Sequence, residues 1–114
     1  MSEKEQFQNL ITELRRGSLT LAVLGCLNQA HYGYALLQTM QEKGIDIEAN
    51  TLYPLLRRLE SQGLLSSDWD TSESRPRKYY SISDKGHMVF QELISEWKKM
   101  QKSIDDICGK DEFL

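Results

Sequence analysis

The chain has 114 residues, which suits one domain with a modest core, because a domain near this length buries only about two-thirds of its unfolded surface. Its 39% hydrophobic and 27% charged residues are ordinary for a globular protein and argue against disorder except at the ends. The net charge of −3 argues against a protein that coats nucleic acid indiscriminately, although it does not exclude specific binding.

The N-terminus is polar and lacks the basic-then-apolar order of a signal peptide. The apolar stretch from Leu19 to Leu27 is too short to span a bilayer. These features predict a cytoplasmic protein without a membrane segment. The cysteines, Cys26 and Cys108, have no metal-like spacing, so we expect thiols that serve as small packing residues.

Candidate catalytic and metal-binding groups are sparse. His31 and His87 are isolated, so we expect no metal site and no cofactor. The sequence has no phosphate-cradling glycine loop, no paired His and acid in motif spacing, and no nucleophile with an evident base. An enzyme is therefore the least favoured class of function.

The first part of the chain has two different hydrophobic patterns. An apolar stripe at the i, i+3, i+4, i+7 spacing of an amphipathic helix is formed by Phe7, Leu10, Ile11 and Leu14. From Leu19 to Leu27 the apolar residues cover nearly every direction around a helix, which indicates enclosure in the core. The pattern leaves open whether Gly17 kinks one long helix or Ser18 caps a second.

Two further helices follow. The first is predicted from about Gly33 to Lys43, with a glycine ending it. The second is predicted to begin with Asn50 as its N-cap and to run to about Gln62. Pro54 then falls in the first turn or just past it, where a missing N–H does little harm.

The rest of the chain predicts a hairpin and one long helix. Leu64 to Trp69 reads as a strand, 70–75 as a polar turn, and Arg77 to Ile82 as the returning strand. Ser83 caps a last helix that runs to about Cys108, roughly 38 Å long. The fold class is therefore mainly α with a two-stranded wing, that is, a winged helix-turn-helix plus a long C-terminal dimerisation helix. We expect a DNA-binding domain at 1–82, a dimerisation helix at 83–108 and a flexible tail at 109–114.

Polar and cationic side chains collect in two places in the central segment. The outward face of the third helix carries Asn50, Arg57 and Arg58, with Thr51 and Tyr53 on its flanks. The hairpin tip carries Arg75, Arg77 and Lys78. Each set could be a solvated surface, but together they offer donors for base edges in the major groove and for nearby phosphates or the minor groove.

At these residues the chain resembles the PadR family of bacterial transcriptional regulators. The resemblance rests on Gly33-Tyr34, Thr51 to Leu56, Arg58-Leu59-Glu60, Gly63-Leu64-Leu65, Arg77-Lys78-Tyr79-Tyr80, and Ser83 with Gly86. It spans nearly the whole chain and implies a winged helix-turn-helix that usually represses transcription as a homodimer, and the single long C-terminal helix is similar to the family's shorter members. Tyr34 joins the expected DNA-binding residues. Asn50, Ala35 and Ser74 depart from the residues frequent in the family.

The last helix has the a/d spacing of a coiled-coil seam, formed by Phe90, Leu93, Trp97, Met100, Ile104 and Ile107. So small a domain cannot cover this seam and the N-terminal stripe together, which favours a homodimer over packing within one chain. A two-fold dimer predicts a near-palindromic operator with half-sites about 34 Å apart.

Trp97 lies midway along the seam. An interface anchor is the commoner role for such a tryptophan. A second hypothesis is that two facing indoles hold a planar aromatic effector, which the resemblance supports because family members commonly respond to small aromatic compounds. The main functional prediction is thus a sequence-specific repressor released from DNA by such an effector. The alternative is a winged-helix module that binds another protein and no DNA.

Overall fold

The computed structural model describes residues 2–109. Their elements, in chain order, are α1 (Glu3–Cys26), β1 (His31–Tyr32), α2 (Gly33–Glu42), α3 (Ala49–Ser61), β2 (Leu65–Asp70), β3 (Arg77–Ile82) and α4 (Asp84–Cys108). This architecture confirms the predicted fold class, mainly helical with a small antiparallel sheet and a long C-terminal helix. Within 2–109, none of the helices combines the length and the apolar content needed to cross a membrane.

The N-terminal segment forms one continuous helix, which settles the choice between a single helix and two. The hydroxyl of Ser2 caps α1 by accepting the Glu5 N–H at 3.1 Å, and Ser18 lies in the middle of the helix. Only the C-terminal end of α1 is fully enclosed, at Val23 and Leu24. The helix therefore has a core half and an outer half.

The core lies where the end of α1 meets α2, α3 and the inner face of the sheet. Its buried side chains are Val23, Leu24, Leu27, Leu36, Met40, Ile47, Leu52, Leu55, Leu56, Leu59, Leu64, Leu65 and Tyr80. The α3 members recur at i, i+3, i+4 and i+7, so one face of that helix is apolar and its opposite face is left to solvent. The start of α4 closes the core through the partly buried Val89 and Phe90.

The sheet has three strands in the order β1-β3-β2, one more than the predicted hairpin. The additional strand is two residues long, and it pairs antiparallel with β3 through His31 opposite Tyr80 and Tyr32 opposite Tyr79. On the other side β2 pairs with β3 from Leu65 opposite Ile82 to Asp70 opposite Arg77. Since β1 runs directly into α2, the wing is joined to the second helix by backbone hydrogen bonds.

The predicted start of the third helix was wrong by two residues. The N-cap is Glu48, whose carbonyl accepts the Leu52 N–H at 2.9 Å, and Asn50 lies inside the first turn. The buried Ile47 and a 3.0 Å hydrogen bond from the Gln41 amide to its carbonyl fix the connector, so tertiary packing overrides the capping preference of asparagine. Pro54 consequently lies in the second turn, where it removes one intrahelical hydrogen bond.

The last helix begins and ends as predicted. Ser83 accepts the Gly86 N–H at 3.0 Å and donates its hydroxyl to the Gly63 carbonyl at 2.6 Å, which fastens the start of α4 to the end of α3. Past Phe90 the helix leaves the core. Gly109 closes it in the left-handed conformation, and the remainder of the predicted flexible tail, 110–114, lies outside the described residues.

Candidate nucleic-acid interface

The start of α2, the helix α3 and the wing enclose one open cleft of about 540 Å³. Its lining side chains are Tyr32, Gly33 and Tyr34 from β1 and α2, Tyr53 from α3, and Arg75, Pro76, Arg77, Lys78 and Tyr80 from the wing. Residues that are more than forty positions apart in the sequence thus meet at one surface. The cleft contains four tyrosines, whose rings offer flat apolar faces and polar tips side by side.

Tyr53 is held in this cleft by the absence of a side chain at Gly33. A Cβ built on Gly33 would lie 2.6 Å from Cε1 of Tyr53, which is closer than real carbon atoms approach. Glycine at the first position of α2 therefore lets the half-buried Tyr53 ring pack directly on the backbone. Tyr34, the next residue, is 65% exposed at the cleft edge.

Arg57 and Arg58 lie on the outer surface of α3, and both are exposed. Arg57 is four residues after Tyr53 and three before Glu60, so these side chains form one stripe along the helix. Arg75 is exposed at the wing tip. None of these three arginines forms an ion pair with any residue in 2–109, so their charge is available to an external anion.

Arg77 forms ion pairs and a cation–π contact with neighbouring residues of the same chain. Its guanidinium lies 3.4 Å from a Glu73 carboxylate oxygen and 3.9 Å from one of Asp70, and it stacks 4.3 Å from the centroid of the Tyr32 ring. The Tyr32 hydroxyl donates a hydrogen bond to Asp70. This bond raises the pKa of Tyr32, while hydrogen bonds from Ser72 and Tyr32 lower the pKa of Asp70 to about 2.

Lys78 also forms an intramolecular ion pair, with Glu60. Its ammonium group donates to Oε1 of Glu60 at 3.2 Å, and the Ser67 hydroxyl donates to Oε2 of the same carboxylate. The Ser67 hydrogen bond and the nearby ammonium group lower the pKa of Glu60. Of the five cations predicted at this surface, the structure thus leaves three uncommitted and holds two in intramolecular pairs.

The other predicted surface residues are placed at the start of α3. Asn50 and Thr51 are exposed there, outside the lining of the cleft. Sequence reasoning missed Tyr32, Asp70 and Glu60 as parts of the surface. No local pattern indicates their contacts, because each acts through a partner brought near by the sheet.

A second feature is an exposed apolar face on α1 and α4, which pack against each other beyond the core. Its exposed side chains are Phe7, Leu10, Leu14, Leu93, Trp97, Met100, Ile104 and Ile107. Two predicted members of the dimerisation set differ from these. Ile11 is partly buried, and Phe90 packs on the backbone of α1, where a Cβ at Gly25 would lie 3.2 Å from its ring.

A groove of about 240 Å³ runs between α1 and α4 on this face. It is lined by Leu14, Gly17, Ser18, Leu21, Leu93, Glu96, Trp97 and Met100. The Trp97 indole is 42% exposed at its edge, and Glu96 is paired with Lys99 at 3.4 Å. The groove is mostly apolar with one acidic group.

The two helices α2 and α3, joined by a turn and followed by the cationic hairpin of β2 and β3, define a winged helix-turn-helix protein. Comparison with known proteins supports that class. A PadR family transcriptional regulator from Eggerthella lenta has a crystal structure that superposes with a TM-score of 0.86 at 46% identity, covering 91% of this chain and 93% of that chain. A PadR-like transcription factor from Bacteroides fragilis gives 0.74 at 33% identity, covering 87% and 98%.

Sequence comparison agrees with these structures. The family model for the transcriptional regulator PadR-like family matches residues 21–92, more than half of the chain. The transcriptional regulator Rv3488 of Mycobacterium tuberculosis is 33% identical over 82 residues, which are 70% of this chain and 76% of that protein. The chain belongs to the PadR-like family. It is thereby a DNA-binding transcriptional regulator and not an enzyme.

Proposed function

We propose that the protein is a repressor that binds a near-palindromic operator as a homodimer and is released by a small planar aromatic effector. The observation that supports the DNA-binding part is the placement of uncommitted arginines on α3 and on the wing, the two elements that border the tyrosine-lined cleft. Arg75 lines the cleft from the wing side, and Arg57 lies on the exposed surface of α3. A duplex lying against this surface would meet cations from both elements.

In this proposal α3 enters the major groove with Asn50, Thr51, Tyr53, Arg57 and Arg58 toward base edges and phosphates. The wing tip lies on the neighbouring backbone or minor groove, with Arg75 as its main phosphate contact. Tyr34, at the start of α2, is positioned to donate its hydroxyl to a phosphate beside the cleft. Arg77 and Lys78 contribute less to charge neutralisation than the sequence suggested, because acidic neighbours already compensate them.

The homodimer part rests on the apolar face of α1 and α4. Exposed apolar side chains follow one another along both helices in 2–109, from Phe7 to Leu14 and from Leu93 to Ile107. A contiguous surface of this kind on a small domain is typical of an interface. Pairing of the last helices in two copies, with each N-terminal helix against the partner, would remove both stripes from water. Under this proposal residues 83–108 form the dimerisation helix and 1–82 the DNA-binding domain, with the first turns of α4 shared between them.

The effector part rests on the groove at Trp97. The indole edge and the flanking Leu93 and Met100 suit a flat apolar molecule, and Glu96 and Lys99, which pair at 3.4 Å beside them, would select its charge. A ligand between α1 and α4 would change the angle at which two copies hold their wings. Coupling of this kind is typically worth about 1–3 kcal/mol, a five- to 150-fold change in affinity.

A mobility-shift assay on duplex DNA from upstream of the protein's own gene tests the proposal. We expect two protomers per duplex and affinity that falls steeply with salt. Repeating the assay with a panel of planar aromatic compounds tests release, and a reporter under the same upstream DNA tests repression. Binding that ignores salt, or a complex with an unrelated protein and none with DNA, would support the interaction-module alternative instead.

Trp97 and Trp69 are the tryptophans of the chain, so the effector site can be followed separately. In a Trp69→Phe variant, fluorescence reports Trp97 alone. Quenching by an effector at concentrations that release DNA is expected. Unchanged emission at millimolar concentrations of every compound in the panel would contradict the proposed effector site.

A further inference from the structure

Glu60 uses both oxygens of its carboxylate to join the third helix to the two long strands of the wing. Oε1 accepts the Lys78 ammonium of β3 at 3.2 Å, and Oε2 accepts the Ser67 hydroxyl of β2. The Glu60 and Lys78 side chains are each about two-thirds shielded, at 32% and 31% exposure. An ion pair screened from water to this degree, with a third hydrogen-bonding partner, is stronger than a fully exposed pair.

The position of Glu60 makes this contact geometrically important. It lies in the last turn of α3, on the same stripe as Tyr53 and Arg57. On the wing side, Ser67 stands opposite Tyr80 in the β2–β3 ladder, and the Lys78 ammonium lies 5.2 Å from the Tyr80 ring centroid. Tyr80 is buried, so the wing side of the contact is anchored in the core.

We infer that Glu60 is a positioning residue that fixes the distance between the third helix and the wing. Lys78 then serves as its ion-pair partner on the wing and not as a phosphate contact. The inference rests on the proposed DNA binding, because its consequence is the width of the cleft that would receive the phosphate strand. It assigns a function to an acid on a DNA-facing helix, where a carboxylate would otherwise only repel phosphates.

A positioning carboxylate and a carboxylate that only repels phosphate predict opposite effects of Glu60→Gln on DNA affinity, so Glu60→Gln and Lys78→Met provide a clear test. If Glu60 positions the wing, Glu60→Gln weakens DNA binding about two- to tenfold, although it removes a negative charge. Lys78→Met weakens DNA binding to a similar extent. The double variant binds DNA no worse than the more affected single variant, because the two changes remove the same contact. The slope of log affinity against log salt stays at the wild-type value in all three.

One further variant and one control separate positioning from general damage. Ser67→Ala removes one hydrogen bond with no change of charge, and it should also weaken DNA binding. Glu92→Gln removes an exposed charge of α4 and should leave affinity within twofold of wild type. Thermal unfolding of each variant, read at the assay temperature, restricts the comparison to folded protein.

A Glu60→Gln variant that binds DNA more tightly, together with a Lys78→Met slope reduced by about 0.9, would overturn the inference, because it would make Lys78 a phosphate contact. Failure of the wild type to bind duplex DNA would instead overturn the proposed function. The contact between Glu60 and the wing can still be tested in that case by tryptophan fluorescence without DNA. Trp69 stands opposite Lys78 in the sheet and is 58% exposed, so in a Trp97→Phe background Glu60→Gln should change the emission maximum or the acrylamide quenching of Trp69. No change in either would overturn the inferred Glu60–Lys78 contact independently of DNA.

Discussion

Gly86 lies so close to Leu64 that a Cβ built on its backbone would stand 2.0 Å from the Leu64 carbonyl oxygen. The same oxygen accepts the Ser83 N–H at 3.1 Å, so the start of α4 and the strand side of the core are in direct backbone contact. Glycine is the residue that permits this approach, and it is buried there. The position of the long helix relative to the winged domain therefore depends on one missing side chain.

Gly86→Ala should destabilise the protein. Alanine is the better helix former by about 1 kcal/mol, but the contact with a backbone oxygen cannot relax without moving α4. We expect a net loss of about 1–3 kcal/mol in the free energy of unfolding. Gly17→Ala is the matched control: outside its own turns of α1, nothing in residues 2–109 lies within 4 Å of its added Cβ, so it should be neutral or stabilise by up to about 1 kcal/mol. Denaturant unfolding of both variants measures the difference, and equal stabilities would contradict the account.

Gly33→Ala should weaken DNA binding more than it weakens the fold. The added Cβ meets Cε1 of Tyr53 at 2.6 Å, and the ring can yield by swinging outward, which displaces it from the cleft. We expect a loss of about 1 kcal/mol in DNA affinity. In a Tyr53→Ala background the same glycine change should have a much smaller effect, because no ring remains to displace. Equal losses in both backgrounds, measured by anisotropy titration, would show that the glycine acts in another way.

The arginines of α3 and of the wing should differ in their effect on the salt dependence of DNA binding. Arg57→Ala, Arg58→Ala and Arg75→Ala should each lower the log–log slope by about 0.9 if each neutralises one phosphate. Arg77→Ala should lower it by clearly less, because Asp70 and Glu73 already compensate its charge. Arg16→Ala, on α1, serves as the control and should leave the slope unchanged. Titration over a range of salt concentrations gives the slope for the wild type and for each of the five variants, and a full unit lost at position 77 alone would reverse the ranking.

Acid should loosen the wing through Asp70. Its pKa in the folded protein is about 2, below the ordinary value of 3.8, because Ser72 and Tyr32 donate hydrogen bonds to it. The folded state thus binds fewer protons than the unfolded state, so this contribution to stability is complete above pH 3.8 and is lost as the pH falls toward 2. Asp70→Asn should flatten the fall of the unfolding temperature across that window. Asp106→Asn, the same charge change on α4, should not, and identical curves for both variants would contradict the role of Asp70.

Ile104→Glu should weaken self-association. Ile104 is 55% exposed on the apolar face, and a carboxylate buried between two copies would lose its hydration. We expect the dimer dissociation constant to rise by about tenfold or more, and operator affinity to fall with it. Ser95→Glu introduces the same charge at a position off the seam and should leave both unchanged. Sedimentation velocity over a concentration series gives the comparison, and a monomeric wild type at micromolar concentration would refute the dimer.

The regular helices could be predicted because their patterns are local. The α3 leucines and the Ser83 cap each signal their element within a few residues. β1 could not be predicted, since a two-residue strand has no period and exists only through its pairing with β3. Asn50 is a good N-cap by preference, yet the buried Ile47 places the start of the helix two residues earlier.

The cations at 75–78 are visible in the sequence, but their partners are not. Glu60 and Lys78 are separated by 18 positions, and Tyr32 and Asp70 by 38, so both contacts depend on strand register and on the docking of α3. A list of basic residues therefore overstated the free charge of the wing.

The pairing of β1 with β3 restricts how the wing can move relative to α2. Because β1 continues into α2, the wing cannot pivot without dragging the second helix and breaking the ladder at Tyr32 and Tyr79. We therefore expect β1, α2 and the wing to move as one unit. In the proposed dimer, a change in the distance between the two wings would have to come from the relative tilt of α1 and α4 of the two copies.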